Sequence, residues 1–140
     1  MIWIEDDGGR TEAGFRGEAG DCVARAIAIA TNVPYDLVYE ELAERMKSAG
    51  KSRSARNGIP RKVYETYLGE RGWIWKPTMQ IGSGCTVHLR ADELPSGRII
   101  VRLSRHLAAV IDGRIHDTHD PSRDGTRCVY GYFYRKFTQK

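Results

Sequence analysis

The sequence predicts an α+β domain in which helices come first and an antiparallel sheet follows. Apolar residues recur at helical spacing between positions 22 and 68, and from Trp73 onward the period is two. No internal repeat, low-complexity segment or linker divides the 140 residues, so positions 1–140 read as one domain. Hydrophobic residues make up 41% and charged residues 29%, enough apolar material to fold around a core and unlike a disordered chain.

Met1 to Gly9 carries Glu5, Asp6 and Asp7 and no apolar stretch, so it does not read as a secretory signal. Residues 10 to 21 hold three glycines and no apolar period, which predicts an irregular lead-in. A helix then starts at Cys22. Val23, Ala26, Ile27 and Ala30 form its core stripe, while Ala24 and Ala28 make the other faces small and apolar, as suits a central helix. Asp21 is the expected N-cap, and Asn32 and Pro34 end the helix.

A second helix is expected from about Pro34 to Lys47, with Tyr35, Val38, Tyr39, Leu42 and Met46 inward. Pro60 opens a third, with Val63, Tyr64, Tyr67 and Leu68 buried and Gly72 as its stop. Strands are expected at Trp73–Lys76, Thr86–Arg90, Arg98–Leu103, Leu107–Ile111, Arg114–Thr118 and Cys128–Phe137. Trp73 and Trp75 on the first of these read equally as core or as a ridge facing a substrate. The aromatics Tyr130 to Phe137 read as alternation of core and surface, not as a ligand cage.

Composition narrows the partners. No apolar run approaches the roughly 18 residues that cross a bilayer, so no membrane partner is expected. Cys22, Cys85 and Cys128 are an odd, sparse set that reads as reduced thiols, and hence as a cytoplasmic chain. The net charge of +4 gathers at Arg45, Lys47, Lys51, Arg53, Arg56, Arg61 and Lys62. No aromatic alternates with these cations as a base-stacking platform requires, so the stretch reads as a solvated loop and no nucleic-acid partner is expected.

The chemistry rests on Cys22. A thiol in the first turn of a helix meets unpaired amides and the positive end of the macrodipole, which favour the thiolate and point where an oxyanion would form. His106 supplies a base. Asp112-Gly113 between two apolar runs predicts a two-residue hairpin pairing 111 with 114 and 109 with 116. Alternation then places His106, Ala108, Val110, Ile115, Asp117 and His119 on one face. Asp117 becomes the diagonal neighbour of His106, able to orient its imidazole, whereas Asp112 is spent on the turn and His116 faces solvent. Glu18 is a candidate border of the site, with a solvent-facing loop carboxylate as the alternative. Arg25 is expected to pair with a carboxylate near the helix start.

Gly20-Asp21-Cys22-Val23-Ala24-Arg25-Ala26-Ile27 resembles the nucleophile segment of the papain-like cysteine peptidase superfamily, where the cysteine opens the central helix. It is similar to the Asp-Gly-Asn-Cys-x-x-Arg-Ala segment of ovarian-tumour deubiquitinases. Together with Tyr35 to Tyr39 and the late His106 … Asp112-Gly113 … Asp117-Thr118 segment, it resembles small phage-encoded proteins of this fold, of bacteriocin-processing-peptidase-like or ovarian-tumour-like type. The resemblance implies a papain-like fold, helices packed on a C-terminal antiparallel sheet. It further implies a thiol hydrolase acting on a peptide or protein through Cys22, His106 and Asp117, without a cofactor, in a host cytoplasm. The chain departs from the pattern in lacking a glutamine shortly before the cysteine and in having Gly20 before Asp21, so oxyanion stabilisation falls to backbone amides around Asp21 and Cys22. Two alternatives remain open at this level. One is a zinc hydrolase using His106, Asp117 and His119, and the other is a non-catalytic module that binds a host protein or nucleic acid through the basic loop.

Overall fold

The computed structural model describes residues 1–16 and 20–135; Glu18 and Phe137 lie outside the described residues. Three helices, α1 (Cys22–Thr31), α2 (Tyr35–Ser48) and α3 (Arg61–Glu70), precede most of a six-stranded sheet. Its strands are β1 (Ile2–Glu5), β2 (Trp73–Pro77), β3 (Arg98–Leu103), β4 (His106–Ile111), β5 (Arg114–Asp117) and β6 (Gly131–Arg135), in the order β1-β5-β4-β3-β6-β2. The chain is therefore α+β, with its helices within about two residues of the sequence expectation at either end.

The sheet is mixed, not antiparallel. β1 pairs parallel with β5, Ile2 opposite Arg114 and Glu5 opposite Asp117, while every other ladder is antiparallel. Four residues with Ile2 and Trp3 exposed show no clean inward face, so period-two reasoning does not find this edge strand. Thr86–Arg90 forms no strand either. It contributes one isolated bridge, His88 to Cys128, and runs into a short 3-10 turn at Ala91–Glu93.

The helices cover one face of the sheet. α1 packs centrally on β3, β4 and β5, with Ala24, Ile27 and Ala30 at most 1% exposed. Small side chains bring its axis close to the sheet, where it meets Ile100, Leu107, Ala109 and Phe133. The opposite face buries Ile99, Val101, Val110 and Ile115 beneath Leu89 and Val129 of the long loops. Along β4 the two sets alternate, as a sheet buried on both faces requires.

Two loop features matter to the site. Asp112 and Gly113 both have positive φ, the signature of a two-residue hairpin turn, and Asp112 Oδ1 accepts the Gly97 N–H at 2.7 Å. Cys85 and Cys128 form a disulfide with Cα atoms 5.8 Å apart. This corrects the expectation of three reduced thiols and removes the support they lent to a cytoplasmic location. The pairing joins positions 43 residues apart, beyond what spacing alone reveals. No helix among the described residues is long and apolar enough to cross a membrane.

Gly131 is required by packing. A Cβ there would lie 2.4 Å from Trp75 Cζ2 and Cη2 and 2.7 Å from the Lys76 carbonyl oxygen. The indole cannot yield without losing its contact with Phe133, ring centroids 4.8 Å apart. Gly131→Ala is expected to lower stability by about 1–3 kcal/mol, read from urea denaturation; an unchanged midpoint would contradict this packing.

Candidate active site

Cys22 is the first residue of α1 and the one free cysteine among the described residues. Its thiol is half-buried and lies beside the His106 side chain and the Leu107 backbone N–H, both of which favour its ionised form. His106 opens β4, and its Nε2 lies 2.6 Å from Asp117 Oδ2 at the end of β5. With Nε2 taken by the carboxylate, Nδ1 is the ring nitrogen left for the thiol. The structure thus brings Cys22, His106 and Asp117 together at the start of α1.

The hairpin register explains how β4 and β5 meet. Ala109 faces His116 and Ile111 faces Arg114, as the Asp-Gly turn dictates. Strict alternation would put His106 and Asp117 on the face of Ala108, Val110 and Ile115, away from the helices. Both are terminal residues of their strands, His106 paired with Leu103 of β3 and Asp117 with Glu5 of β1. From there Asp117 Oδ1 comes within 3.6 Å of Arg25 Nη2 on α1. The Trp3 indole N–H and the Asp6 backbone N–H both donate to the Asp117 carbonyl, at 3.0 and 2.9 Å, so β1 pins the strand end that carries the carboxylate.

Electrostatics favour charge separation. Burial pushes the Cys22 thiol up, but the bonds from His106 and Leu107 and the positive charges of His106 and Arg25 outweigh it, so it lies below its ordinary value. Burial acts against a charged His106, yet Asp117 and the thiolate raise its pKa to about 9. Burial likewise opposes ionisation of Asp117; its bonds to His106 and to the Thr118 N–H win, and its carboxyl is held down. The three shifts all run toward charge separation, with the Cys22 thiol and the Asp117 carboxyl held down and the His106 imidazole pushed up.

Asp21 departs from its expected role. Its carboxylate makes no cap hydrogen bond to α1 and is 1% exposed. It pairs instead with Arg25, lies 3.2 Å from Arg10 Nε, and accepts the Tyr35 hydroxyl at 2.5 Å. The residue type suited a cap, but two arginines and a tyrosine converging from other elements compete more strongly. The consequence is chemical, because Asp21 leaves the first-turn amides of α1 open to another acceptor. Arg25 pairs with a carboxylate as expected, and it spans two, Asp21 and Asp117.

Other expectations divide. His116 is half-buried and pairs with Asp6 at 3.1 Å, so it is not solvated. His119 is exposed, with its ring 5.2 Å from that of His106. The possible ligand atoms of His106, Asp117 and His119 all lie within 4.8 Å of one another, but Asp117 already engages the His106 nitrogen. Three arginines of the basic stretch are paired with acids of this chain: Arg53 with Glu40 and Glu44, Arg61 with Glu65, and Arg45 with Glu70. A cleft of about 770 Å³ lies at the other end of α1 among Asn32, Trp73, Arg98 and Tyr134 and does not include the thiol. No family, curated protein or solved structure matches the chain.

Proposed function

We propose that the protein is a thiol hydrolase of papain-like type that cleaves or transfers an amide-linked acyl group on a peptide or protein. The observation that carries this reading is the Cys22–His106–Asp117 relay at the N-terminus of a buried helix. The thiolate sulfur attacks the carbonyl carbon, and its oxygen takes the negative charge. First-turn amides of α1 are placed to receive that charge. The imidazolium gives its proton to the departing amine as the C–N bond breaks, leaving a thioester on Cys22. Neutral His106 then takes a proton from water, which attacks the thioester and releases the acid, leaving the thiolate beside the imidazolium. Asp117 holds the ring in one tautomer and steadies its cationic form.

A zinc hydrolase on His106, Asp117 and His119 is the second reading, favoured by the proximity of their ligand atoms. It leaves the pairing of Cys22 with His106 without a use. Native mass spectrometry with and without chelator tests it. A binding module acting through the basic loop has less support, since Arg45, Arg53 and Arg61 of that stretch already pair with acids of this chain.

The thiol reading is tested with p-nitrophenyl acetate. Acetylation of Cys22 is expected, followed by intact mass, and absent from Cys22→Ser. Its rate should rise with pH as the thiol ionises below its ordinary range. Turnover of an amide needs protonated His106 and should fall again as pH passes about 9. A single rise centred on the ordinary thiol range would contradict the pairing.

A further inference from the structure

We propose that Arg102 recognises a carboxylate on the substrate of the Cys22 site, one sheet position from the acyl group under attack. This deepens the thiol-hydrolase reading and rests on it. Arg102 lies on β3 directly opposite Leu107, whose backbone N–H meets the Cys22 thiol. Directly opposed residues in an antiparallel pair have Cβ atoms about 5 Å apart on the same face. That face is the helix side, since Leu107 and Ile100 both belong to the core beneath α1.

On its other side Arg102 faces Gly131, and the Trp75 ring fills the space a side chain would take there. Arg102 thus stands on the helix face between Leu107, which neighbours the thiol, and an aromatic wall. Tyr64 of α3 closes the same space. Burial raises its phenol, the charge of Arg102 counters this, and Cys22 is also within electrostatic reach. The Tyr64 hydroxyl makes no hydrogen bond among the described residues.

The neighbouring cations are already engaged. Arg25 is held by Asp21 and Asp117, and Arg61 donates to Glu65 at 2.7 Å while lying over the Trp75 ring. Arg102 is half-buried, yet it forms no ion pair and donates no side-chain hydrogen bond among the described residues. A guanidinium partly withdrawn from water without a partner favours an anion that arrives, and its planar fork matches a carboxylate in two parallel hydrogen bonds. The carboxylate belongs either to an acidic side chain beside the scissile bond or to a free chain terminus.

Two matched probe pairs distinguish these sources, with modification of Cys22 followed by intact mass. The first is a pair of peptidyl vinyl sulfones differing only in glutamate against glutamine beside the electrophile. The second is iodoacetate against iodoacetamide. A charge-assisted pair predicts a preference of about tenfold for the carboxylate member of at least one pair, collapsing toward unity in Arg102→Gln and partly kept in Arg102→Lys. Each ratio is internal, so a general change in thiol reactivity cancels. Preference in the vinyl sulfone pair assigns Arg102 to an acidic side chain, and in the iodoacetate pair alone to a small free carboxylate. Equal rates within both wild-type pairs, or a preference that survives Arg102→Gln, overturn the inference alone. Iodoacetamide that fails to modify Cys22 below about pH 7 overturns the thiol reading and this inference with it.

Discussion

Replacing His106 with alanine is expected to slow acylation of Cys22 by p-nitrophenyl acetate at about pH 6 by roughly a hundredfold. The variant loses the hydrogen bond and the positive charge that hold the thiol ionised, and burial is left to push it upward. An ordinary thiol near pKa 8.5 is less than about 1% thiolate at that pH. Alkylation by iodoacetamide should fall less, about tenfold, because a thiolate of higher pKa is intrinsically the better nucleophile. The two reagents therefore separate ionisation from proton transfer. Raising the pH to about 10 should close the alkylation gap, as the variant thiol then ionises unaided. A variant that alkylates as fast as the parent at acidic pH would show that His106 does not sustain the thiolate.

The second large effect is on stability. Asp21→Ala is expected to lower the unfolding free energy by roughly 3 kcal/mol, because it removes a buried anion from a buried cation. Arg25 would keep only the more distant Asp117, at 3.6 Å, and the buried Tyr35 hydroxyl would lose its acceptor. In a domain of this size that corresponds to about 10 °C in melting temperature. Tyr35→Phe removes one bond and leaves the ions paired, so about 1 kcal/mol is expected. Denaturant titration of both variants checks the order. Equal small losses would mean that Asp21 is no hub, and that a helix cap describes it better.

Much of the candidate site is legible in the sequence. Asp112-Gly113 fixes the hairpin register by turn chemistry, and that register brings Asp117 to His106 without reference to anything distant. Cys22 is legible because small apolar residues follow it at helical spacing and mark a buried helix. What escapes the sequence depends on contacts far apart in the chain. β1 takes its partner from residues more than a hundred positions away, and nothing in Ile2–Glu5 announces a parallel ladder. The Cys85–Cys128 disulfide joins two loop segments that lie far apart in the chain and is invisible in local spacing. Asp21 follows from competition, as any local rule sees a cap, and only the tertiary fold brings Arg10 and Tyr35 to displace the helix amides. Arg102 carries no sequence signal of its own. It acquires meaning through the residues across the ladder from it, Leu107 on one side and Gly131 on the other.

The central claim is that Cys22 and His106 exist as a thiolate–imidazolium pair near neutral pH, with Asp117 behind the imidazole. Ultraviolet thiolate absorbance, titrated in the non-reduced protein and in Cys22→Ser, reads that state directly, because Cys85 and Cys128 are joined and do not titrate. The difference between the two proteins should show the thiolate appearing below the ordinary thiol range. In His106→Ala the same signal should move upward by more than about one pH unit, past the ordinary thiol range, as expected for a buried thiol alone. A wild-type signal that appears only above about pH 8.5, and does not move when His106 is replaced, would contradict the account.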